Sequence, residues 1–158
     1  MRLSEKTQVK APPDLVWELV SDLDRYLEFM SGATRWEVQE GPRDGIGARI
    51  RVLFKVGAAE IGGLIEIVEW APGRELAWTS ITGLDQRGRW RIRARDDGGS
   101  SVELRFSYGI AGAGIPGLIA ERVGAIQMRR HLRRSLLELK RLAEARELGT
   151  RRGERAAA

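Results

Sequence analysis

The sequence predicts an α+β domain with seven strands, two short helices and one long C-terminal helix. Three patterns support this prediction. The middle of the chain alternates apolar and charged residues with the period of two that is typical of strands buried on one face. Two short helical patterns follow the first strand, and a long helical pattern ends the chain. We expect one domain at residues 1–147 and a flexible basic tail at residues 148–158.

The N-terminal part is predicted to contain one strand and the two short helices. "LSEKTQVKA" alternates up to Pro12-Pro13, which is typical of an edge strand that ends where a helix starts. "PDLVWELVSD" has one apolar helical stripe, and Ser21-Asp22 provides a stop and a new N-cap. "DLDRYLEFM" keeps helical spacing until Gly32 ends it. The apolar residues of this second helix are Leu23, Tyr26, Leu27 and Met30.

Six further strands are predicted. Their segments are "TRWEVQE", "ARIRVLFKV", "AEIGGLIEIVEW", "ELAWTSITG", "QRGRWRIRAR" and "SVELRFSYGI". Most of them have one apolar and one charged face, which indicates an antiparallel sheet with one side in water. The third segment is apolar on both faces, and its Gly62-Gly63 pair predicts a bulge or a bend. The orientation of Glu60, Glu66 and Glu69 in this segment stays open.

One long helix is predicted from Ile115 to about Glu147, after the glycine-rich "GIAGAGIPG". Its apolar stripe changes direction. The first half of the stripe consists of Ile115, Ile119, Val123 and Ile126, and the second half consists of Met128, Leu132, Leu136 and Leu139. Gly124 lies just before the change, so the sequence predicts a bend there.

Composition excludes several classes of site. The chain has no Cys, so disulfides, thiolate nucleophiles and Cys-based metal sites are ruled out. The only His is His131, which lies in the basic run "MRRHLRRS" and is predicted to be a solvated surface residue. We therefore expect no metal and no cofactor. The N-terminus has no apolar signal region, so a cytoplasmic location is expected.

The net charge is +5 at pH 7, and nearly all of the basicity comes from Arg. Arg89, Arg91, Arg93 and Arg95 alternate with apolar residues on one predicted strand, and they are expected to point outward. Pairing with Glu37, Glu103 and other acids would neutralise much of this face. Arginines left unpaired offer a weak contact with an anionic membrane, RNA or an acidic carrier protein. Aromatic residues interleaved for base stacking are not evident, and no DNA binding is expected.

The order of these elements resembles that of a known superfamily. The pieces that carry the resemblance are "APPDLVWELVSDLDRYLEFM", "REL" and Trp78 in residues 74–78, the strand with Trp90, and the ending "LRRSLLELKRLAE". Together they resemble the START-type helix-grip superfamily (SRPBCC), in particular its polyketide cyclase/dehydrase and lipid-transport branch. The resemblance covers roughly residues 2–145. It implies a β-α-α-β6-α topology in which a curved seven-stranded antiparallel sheet surrounds the C-terminal helix.

The resemblance also implies an internal cavity for an apolar ligand, with the two short helices closing one end. Large apolar side chains on the inner face would line such a cavity, although the same side chains also serve an ordinary packed core. The predicted ligand-binding residues are Trp36, Phe54, Trp78, Ser80, Trp90, Phe106, Tyr108, Ile119, Arg122, Val123 and Ile126.

Polar inner-face residues would orient the ligand. They are predicted to be Ser80, Gln86, Tyr108 and Thr34. The hydroxyl of Tyr108 can donate to a ligand carbonyl or to nearby backbone. Arg122 falls within the first apolar stripe of the long helix, and it either meets an anionic or carbonyl group in the cavity or extends to solvent. No catalytic residue can be assigned.

Three functions are compatible with these observations. The favoured one is binding or transport of a hydrophobic small molecule such as a lipid, a quinone or a polyketide. The first alternative is a polyketide aromatase/cyclase or dehydratase that uses Tyr108, Arg122 or an acid on the strand at residues 60–69. The second is an RNA- or protein-interaction module that uses the Arg-rich outer face, since "DLDRYLEFM" resembles the subgroup with coenzyme Q-binding and ribosome-associated members. The oligomeric state is left open.

Overall fold

The alternating segments form one antiparallel sheet, as the sequence predicts. The structure is a computed structural model, and it describes the backbone of residues 1–109 and 114–158 and the side chains of residues 1–109 and 124–158. The strands are β1 (Arg2–Val9), β2 (Ala33–Val38), β3 (Arg49–Val56), β4 (Ala59–Ala71), β5 (Glu75–Gly83), β6 (Asp85–Ala94) and β7 (Ser100–Gly109). The helices are α1 (Pro13–Ser21), a 3₁₀ helix (Leu23–Glu28) and α2 (Gly114–Ala157).

The strand order is β1-β7-β6-β5-β4-β3-β2. Every neighbouring pair is antiparallel, and the chain crosses over once, because β1 pairs with β7. Helix α2 contacts β1 and β7 at one side of the sheet and also β3 near the other side. A sheet that touches one helix from both sides must curve around it, which is the helix-grip arrangement.

The two short helices form as predicted, with one difference. Pro13 occupies the first position of α1, where its missing N–H costs no hydrogen bond. The second piece is a 3₁₀ helix that buries Leu23 and Tyr26 but leaves Leu27 53% exposed. Because a 3₁₀ turn has three residues rather than 3.6, Leu27 falls on a different face from the one that α-helical spacing predicts.

Pairing between β4 and β5 is irregular after Leu64 and after Ile67, close to the predicted bulge at Gly62-Gly63. The pattern places Ile65 and Ile67 in the core and the glutamates of β4 elsewhere. Glu66 forms an ion pair with Arg49, and Glu69 forms one with Arg89.

Helix α2 packs its second predicted stripe into the core. Met128, Leu132, Leu136, Leu139 and Ala143 are buried. The helix continues to Ala157 and does not end near Glu147, although residues 148–158 are all exposed. Ion pairing between Arg151 and Glu147 at i,i+4 spacing favours the helical form of this segment, in which Gly149, Thr150 and Gly153 are the weak helix formers. Whether residues 148–158 are separate from the domain remains a prediction.

Candidate functional site

One end of the inner sheet face is filled by five aromatic side chains, which we call the helix-side cluster: Tyr26, Phe29, Trp36, Trp78 and Trp90. Tyr26 stacks on Trp36 with ring centroids 4.5 Å apart. Phe29 meets Trp90 edge to face at 6.1 Å, and Trp36 meets Trp78 edge to face at 6.3 Å. The members are at most 5% exposed. This end of the inner face is therefore closed by the 3₁₀ helix and the turn after it.

Tyr26 holds the two short helices together. Its hydroxyl donates a hydrogen bond to the carbonyl of Val20 at the end of α1, at 2.6 Å. Burial raises the pKa of Tyr26 far above its usual range, so the phenol stays neutral and keeps donating. Two short helices joined at a bend can seal one end of a curved sheet.

Trp78 has its position in this cluster because β6 has a glycine opposite it. Gly88 pairs with Trp78 across the sheet, and a Cβ at Gly88 would lie 1.9 Å from the Trp78 ring. The indole therefore lies flat over the glycine. Three of the predicted ligand-binding residues, Trp36, Trp78 and Trp90, are thus packed against other aromatic rings or the sheet.

The other end of the inner face has a second aromatic group, which we call the strand-side cluster: Phe54, Phe106 and Tyr108. Phe54 and Phe106 have centroids 6.2 Å apart, and Phe106 and Tyr108 are 5.8 Å apart. Gly124 of α2 faces this cluster, because a Cβ there would lie 3.8 Å from the Tyr108 hydroxyl. The structure therefore brings together three of the predicted residues at the point where β7 leads toward α2.

Gln86 of β6 adds a polar group to this end of the inner face. It pairs with Tyr108 of β7, and it is only 1% exposed. Within the described part of the chain, neither the amide nitrogen Nε2 nor the amide oxygen Oε1 of Gln86 has a hydrogen-bond partner. A buried amide without partners costs about 1–3 kcal/mol per unsatisfied group, so such groups are rare in folded proteins. The indole N–H groups of Trp36 and Trp90 are also buried without a partner among the described residues, but Gln86 is the inner-face residue with both a donor and an acceptor left unpaired there.

The hydroxyl of Ser80, in contrast to the Gln86 amide, has hydrogen-bond partners. Its hydroxyl accepts a hydrogen bond from the backbone N–H of Gln86 at 3.1 Å and lies 3.5 Å from a carboxylate oxygen of Asp85. Both contacts are within the β5–β6 connection, so Ser80 stabilises a turn. Thr34, which was predicted on the inner face, is exposed, and its hydroxyl approaches the carbonyl of Leu53.

Helix α2 turns one of its predicted residues away from the sheet. Ile126 is 62% exposed, whereas Ala125 and Met128 beside it are buried. At 100° per residue, Ile126 lies about 200° around the helix from Gly124, which faces Tyr108. The apolar stripe predicted through Ile126 was therefore wrong at this position. Ile119, Arg122 and Val123 lie outside the residues whose side chains the structure describes, and so does the glycine-rich segment before α2.

The acids of the strand at residues 60–69 lie on the outer side or at the surface. Glu60 is exposed, while Glu66 and Glu69 are paired with arginines. Among the residues with described side chains, these three therefore do not bring a carboxylate to the inner face. Likewise, no group of three or more potential metal ligands occurs in the described part of the chain.

His131 is half-buried rather than solvated. Its ring packs on Gly32, where a Cβ would lie 2.7 Å from the imidazole and where the backbone has a φ of +82°. Nδ1 lies 3.2 Å from the Ser31 hydroxyl, and Nε2 lies 3.3 Å from the carbonyl of Lys55. Burial lowers the pKa of His131, and the charge of Arg134 adds to this effect. The residue therefore holds α2 against the start of β2 and the end of β3.

The outer face of the sheet is charged, as predicted. Glu75 forms ion pairs with Arg89 and Arg91, both at 2.8 Å, and Glu103 forms one with Arg105 at the same distance. Burial alone would raise the pKa of Glu75, but the charge of Arg91 and then of Arg89 keeps it below the usual value. Ion pairing accounts for much of the Arg-rich surface.

Sequence reasoning named Gln86 as an inner-face residue but did not place it in the ligand-binding set. The alternation of "QRGRWRIRAR" was sufficient to put Gln86 on the same face as Trp90. What the sequence could not show is that no group of the described residues satisfies the amide. Tyr26 and Phe29 were missed as members of the aromatic lining, since helical spacing gives no contact partner.

The sequence model of a family described as polyketide cyclase/dehydrase and lipid transport matches residues 1–144. The chain belongs to this family. The match spans β1 to the packed part of α2, which is the region that was predicted to carry the resemblance. A search of curated proteins gave no significant match.

Solved structures share the fold at low sequence identity. A Thermus thermophilus protein superposes with a TM-score of 0.79 at 20% identity, covering 92% of this chain and 98% of its own. The Streptomyces aromatase/cyclase Zhui gives the same TM-score and identity and is covered over 94% of its length. A START superfamily protein of Mycobacterium smegmatis has a TM-score of 0.64 at 14% identity, with 92% and 95% coverage. These likenesses confirm the predicted helix-grip fold of the family.

Among the described residues, no helix has the length and apolar character required to span a bilayer.

Proposed function

We propose that the protein binds a hydrophobic small molecule between the strand-side cluster and α2. The observation that carries this proposal is the buried amide of Gln86, which has no hydrogen-bond partner among the residues with described side chains. A group of this kind lowers stability unless something complementary reaches it, and such sites are often functional. The neighbouring Phe54, Phe106 and Tyr108 provide the apolar walls that a drug-sized ligand requires.

The chemistry of the amide indicates the kind of ligand. Gln86 can donate through Nε2 and accept through Oε1. A ligand with an apolar body and a carbonyl or hydroxyl end would satisfy it, and quinones, polyketides and the polar ends of lipids all have such groups. The family description and the aromatase/cyclase Zhui among the similar structures support this range of ligands.

The first experiment is native mass spectrometry of freshly purified protein, with extraction and identification of any bound molecule. A stoichiometric apolar ligand with a carbonyl or hydroxyl group supports the proposal. Protein that is empty, and that also fails to bind naphthol added in solution, contradicts it.

A substitution at Gln86 tests the role of the amide directly. In Gln86→Leu the unpaired amide is gone, so we expect the free energy of unfolding of the ligand-free protein to rise by on the order of 1 kcal/mol. Naphthol should bind roughly tenfold more weakly, because a lost hydrogen bond of about 1.4 kcal/mol corresponds to that factor. Binding of methylnaphthalene, which has no hydroxyl, should not weaken.

The control variant is Gln8→Leu, which makes the same exchange at an exposed position of β1. It should leave the binding of both probes unchanged. If Gln86→Leu lowers stability and does not distinguish the two probes, Gln86 serves packing alone and the proposed site is wrong.

A polyketide cyclase or dehydratase activity is the second candidate, supported by the family description and by Zhui. Such an enzyme needs polar groups that converge on the bound chain. In the described residues, Gln86 and Tyr108 occupy paired positions on β6 and β7. Incubation with a linear poly-β-ketone, followed by product analysis, separates the two functions, since a carrier releases the compound unchanged.

A further inference from the structure

The outer face of the sheet contains a row of residues that lacks a carboxylate. Strand pairing aligns Arg2 of β1 with Ser107 of β7, Ser107 with Arg87 of β6, and Arg87 with Thr79 of β5. We call these four residues the Arg-Ser-Arg-Thr row. Side chains directly opposite each other on one face of a sheet are neighbours. The row therefore holds two cations with a hydroxyl between them and a second hydroxyl at one end.

The adjacent rows differ because their charges are neutralised. Arg105 pairs with Glu103 at 2.8 Å, and Arg89 pairs with Glu69 at 2.7 Å as well as with Glu75. The row beyond them places Glu103 opposite both Lys6 and Arg91.

Two acids lie next to the row. Glu66 of β4 is opposite Thr79 and forms its ion pair with Arg49. Asp85 is two residues before Arg87 on β6. Its carboxylate is in contact with the Ser80 hydroxyl at 3.5 Å and forms no ion pair with Arg87. Among the described residues, Arg2 and Arg87 likewise have no acidic partner, and both are exposed. The acids of this face therefore leave the row with two positive charges.

The row lies in a groove of about 640 Å³. Ser4 and Arg105 border it on one side, and Val68 and Ala77 form an apolar wall on the other. Val68 is 47% exposed, so it is accessible from the groove. Grooves of this volume are in the range that small ligands occupy.

We infer that this groove binds the phosphate of an organic phosphate monoester. Arg2 and Arg87 lie on strands that flank β7, so their backbones are roughly 10 Å apart and both guanidinium groups can reach one anion above Ser107. Guanidinium groups bind phosphate oxygens in a bidentate manner, and hydroxyls of Ser and Thr complete the donor set. A monoester carries close to two negative charges at neutral pH, which matches the two unpaired cations. The organic part would lie against Val68 and Ala77. This site is on the opposite face of the sheet from the proposed ligand site, and it does not depend on it.

Calorimetric titration with phenyl phosphate tests the inference, with phenyl sulfate as a probe of the same shape and one charge fewer. We expect phenyl phosphate to bind at least fivefold more tightly than phenyl sulfate at pH 8 and low salt. The double variant Arg2→Gln/Arg87→Gln should lose roughly tenfold in phenyl phosphate affinity. Both residues are exposed and form no ion pair, so the variant should fold normally, which its circular dichroism and melting temperature would check.

The matched control is Arg93→Gln, which removes an exposed arginine from the same strand outside the row. It should bind phenyl phosphate as the wild type does. An equal loss in Arg93→Gln would show a diffuse charge effect and overturn the inference, as would equal affinity for the phosphate and the sulfate.

Two further outcomes overturn it in favour of a macromolecular surface. One is Arg2- and Arg87-dependent binding to vesicles containing phosphatidic acid with no measurable binding of phenyl phosphate. The other is Arg2- and Arg87-dependent binding to a single-stranded RNA, again without phenyl phosphate binding.

Discussion

The two faces of β6 are built from alternate residues of one strand, yet they differ in whether their polar groups are paired. On the inner face, Trp90 and Ile92 are at most 2% exposed, and both the Gln86 amide and the Trp90 indole N–H are buried without a hydrogen-bond partner among the described residues. On the outer face, Arg89 and Arg91 are paired with acids, while Arg87 is exposed and forms no ion pair with any described residue. An unpaired amide in the interior is costly, whereas an unpaired guanidinium at the surface costs little.

The two faces therefore differ in how strongly an unpaired polar group indicates a binding site. The inner face has a buried amide that lacks a hydrogen-bond partner among the described residues, and such a group is uncommon enough to be informative on its own. The outer face has many charges, so a single unpaired arginine there would not indicate a binding site. The proposed phosphate site on the outer face depends on the Arg-Ser-Arg-Thr row, in which two arginines without described ion pairs align with two hydroxyls next to rows whose charges are neutralised.

Removing an inner-face aromatic residue should give the largest effect. Trp90 is fully buried and meets Phe29, so we expect Trp90→Ala to lower the free energy of unfolding by about 3–5 kcal/mol. Arg93→Ala removes an outer-face side chain that is 62% exposed and should change stability by less than about 0.5 kcal/mol. Urea unfolding of both variants measures the contrast. Similar losses in the two variants would mean that the faces do not differ in the way proposed.

Glu75 is an outer-face residue that we expect to contribute substantially to stability, unlike most of its neighbours on this face. Its side chain is 17% exposed, accepts a hydrogen bond from Arg89 and forms an ion pair with Arg91, so Glu75→Gln should cost about 2 kcal/mol at pH 7. Because the folded protein holds the pKa of Glu75 below its usual value, this stabilisation is present above the ordinary pKa of about 4.3 and is lost as the pH falls through the lower folded value.

The difference between wild type and Glu75→Gln should therefore shrink between pH 5 and pH 3 in urea unfolding experiments. A difference that stays constant over that range would show that the carboxylate charge does not matter. Glu37→Gln, which affects an exposed pair at 3.4 Å, serves as the matched control and should have little effect at any pH.

The smallest effect on stability is expected at His131, which lies where α2 contacts the sheet. Burial lowers its pKa, so the unfolded chain binds more protons than the folded one below pH 6.5, and stability falls as the pH drops from about 6.5 toward the lower folded value. His131→Gln should remove this pH dependence while costing on the order of 1 kcal/mol or less at pH 8. Thermal unfolding between pH 8 and pH 5 checks both statements. An unchanged pH dependence in the variant would assign it to other groups.

Several features of the fold were predictable because they depend on local pattern. Alternation in "QRGRWRIRAR" places Trp90 inward and Arg89 outward, and this is what the structure shows. The prolines after β1 and the stop at Ser21-Asp22 correctly predict two short helices. The errors come from positions where local pattern is ambiguous. Leu27 falls in a 3₁₀ turn, and Ile126 lies beyond the point where the apolar stripe of α2 shifts.

The strands, the short helices and the charged outer face could be predicted from the sequence alone, because each follows from spacing along the chain, and the family could be recognised from the resemblance of its segments. Only the tertiary structure decided which polar groups are satisfied. Ser80 and Gln86 are both polar residues at the β5–β6 connection, yet Ser80 is hydrogen-bonded within a turn and Gln86 is buried with no partner in the part of the chain that is described. Likewise, Arg87 and Arg89 occupy equivalent positions in the alternating pattern of β6. Of these two arginines, Arg89 forms ion pairs with acids of β4 and β5, and Arg87 does not. Hydrogen-bond and charge satisfaction depends on residues brought together from distant strands, and no local pattern encodes that.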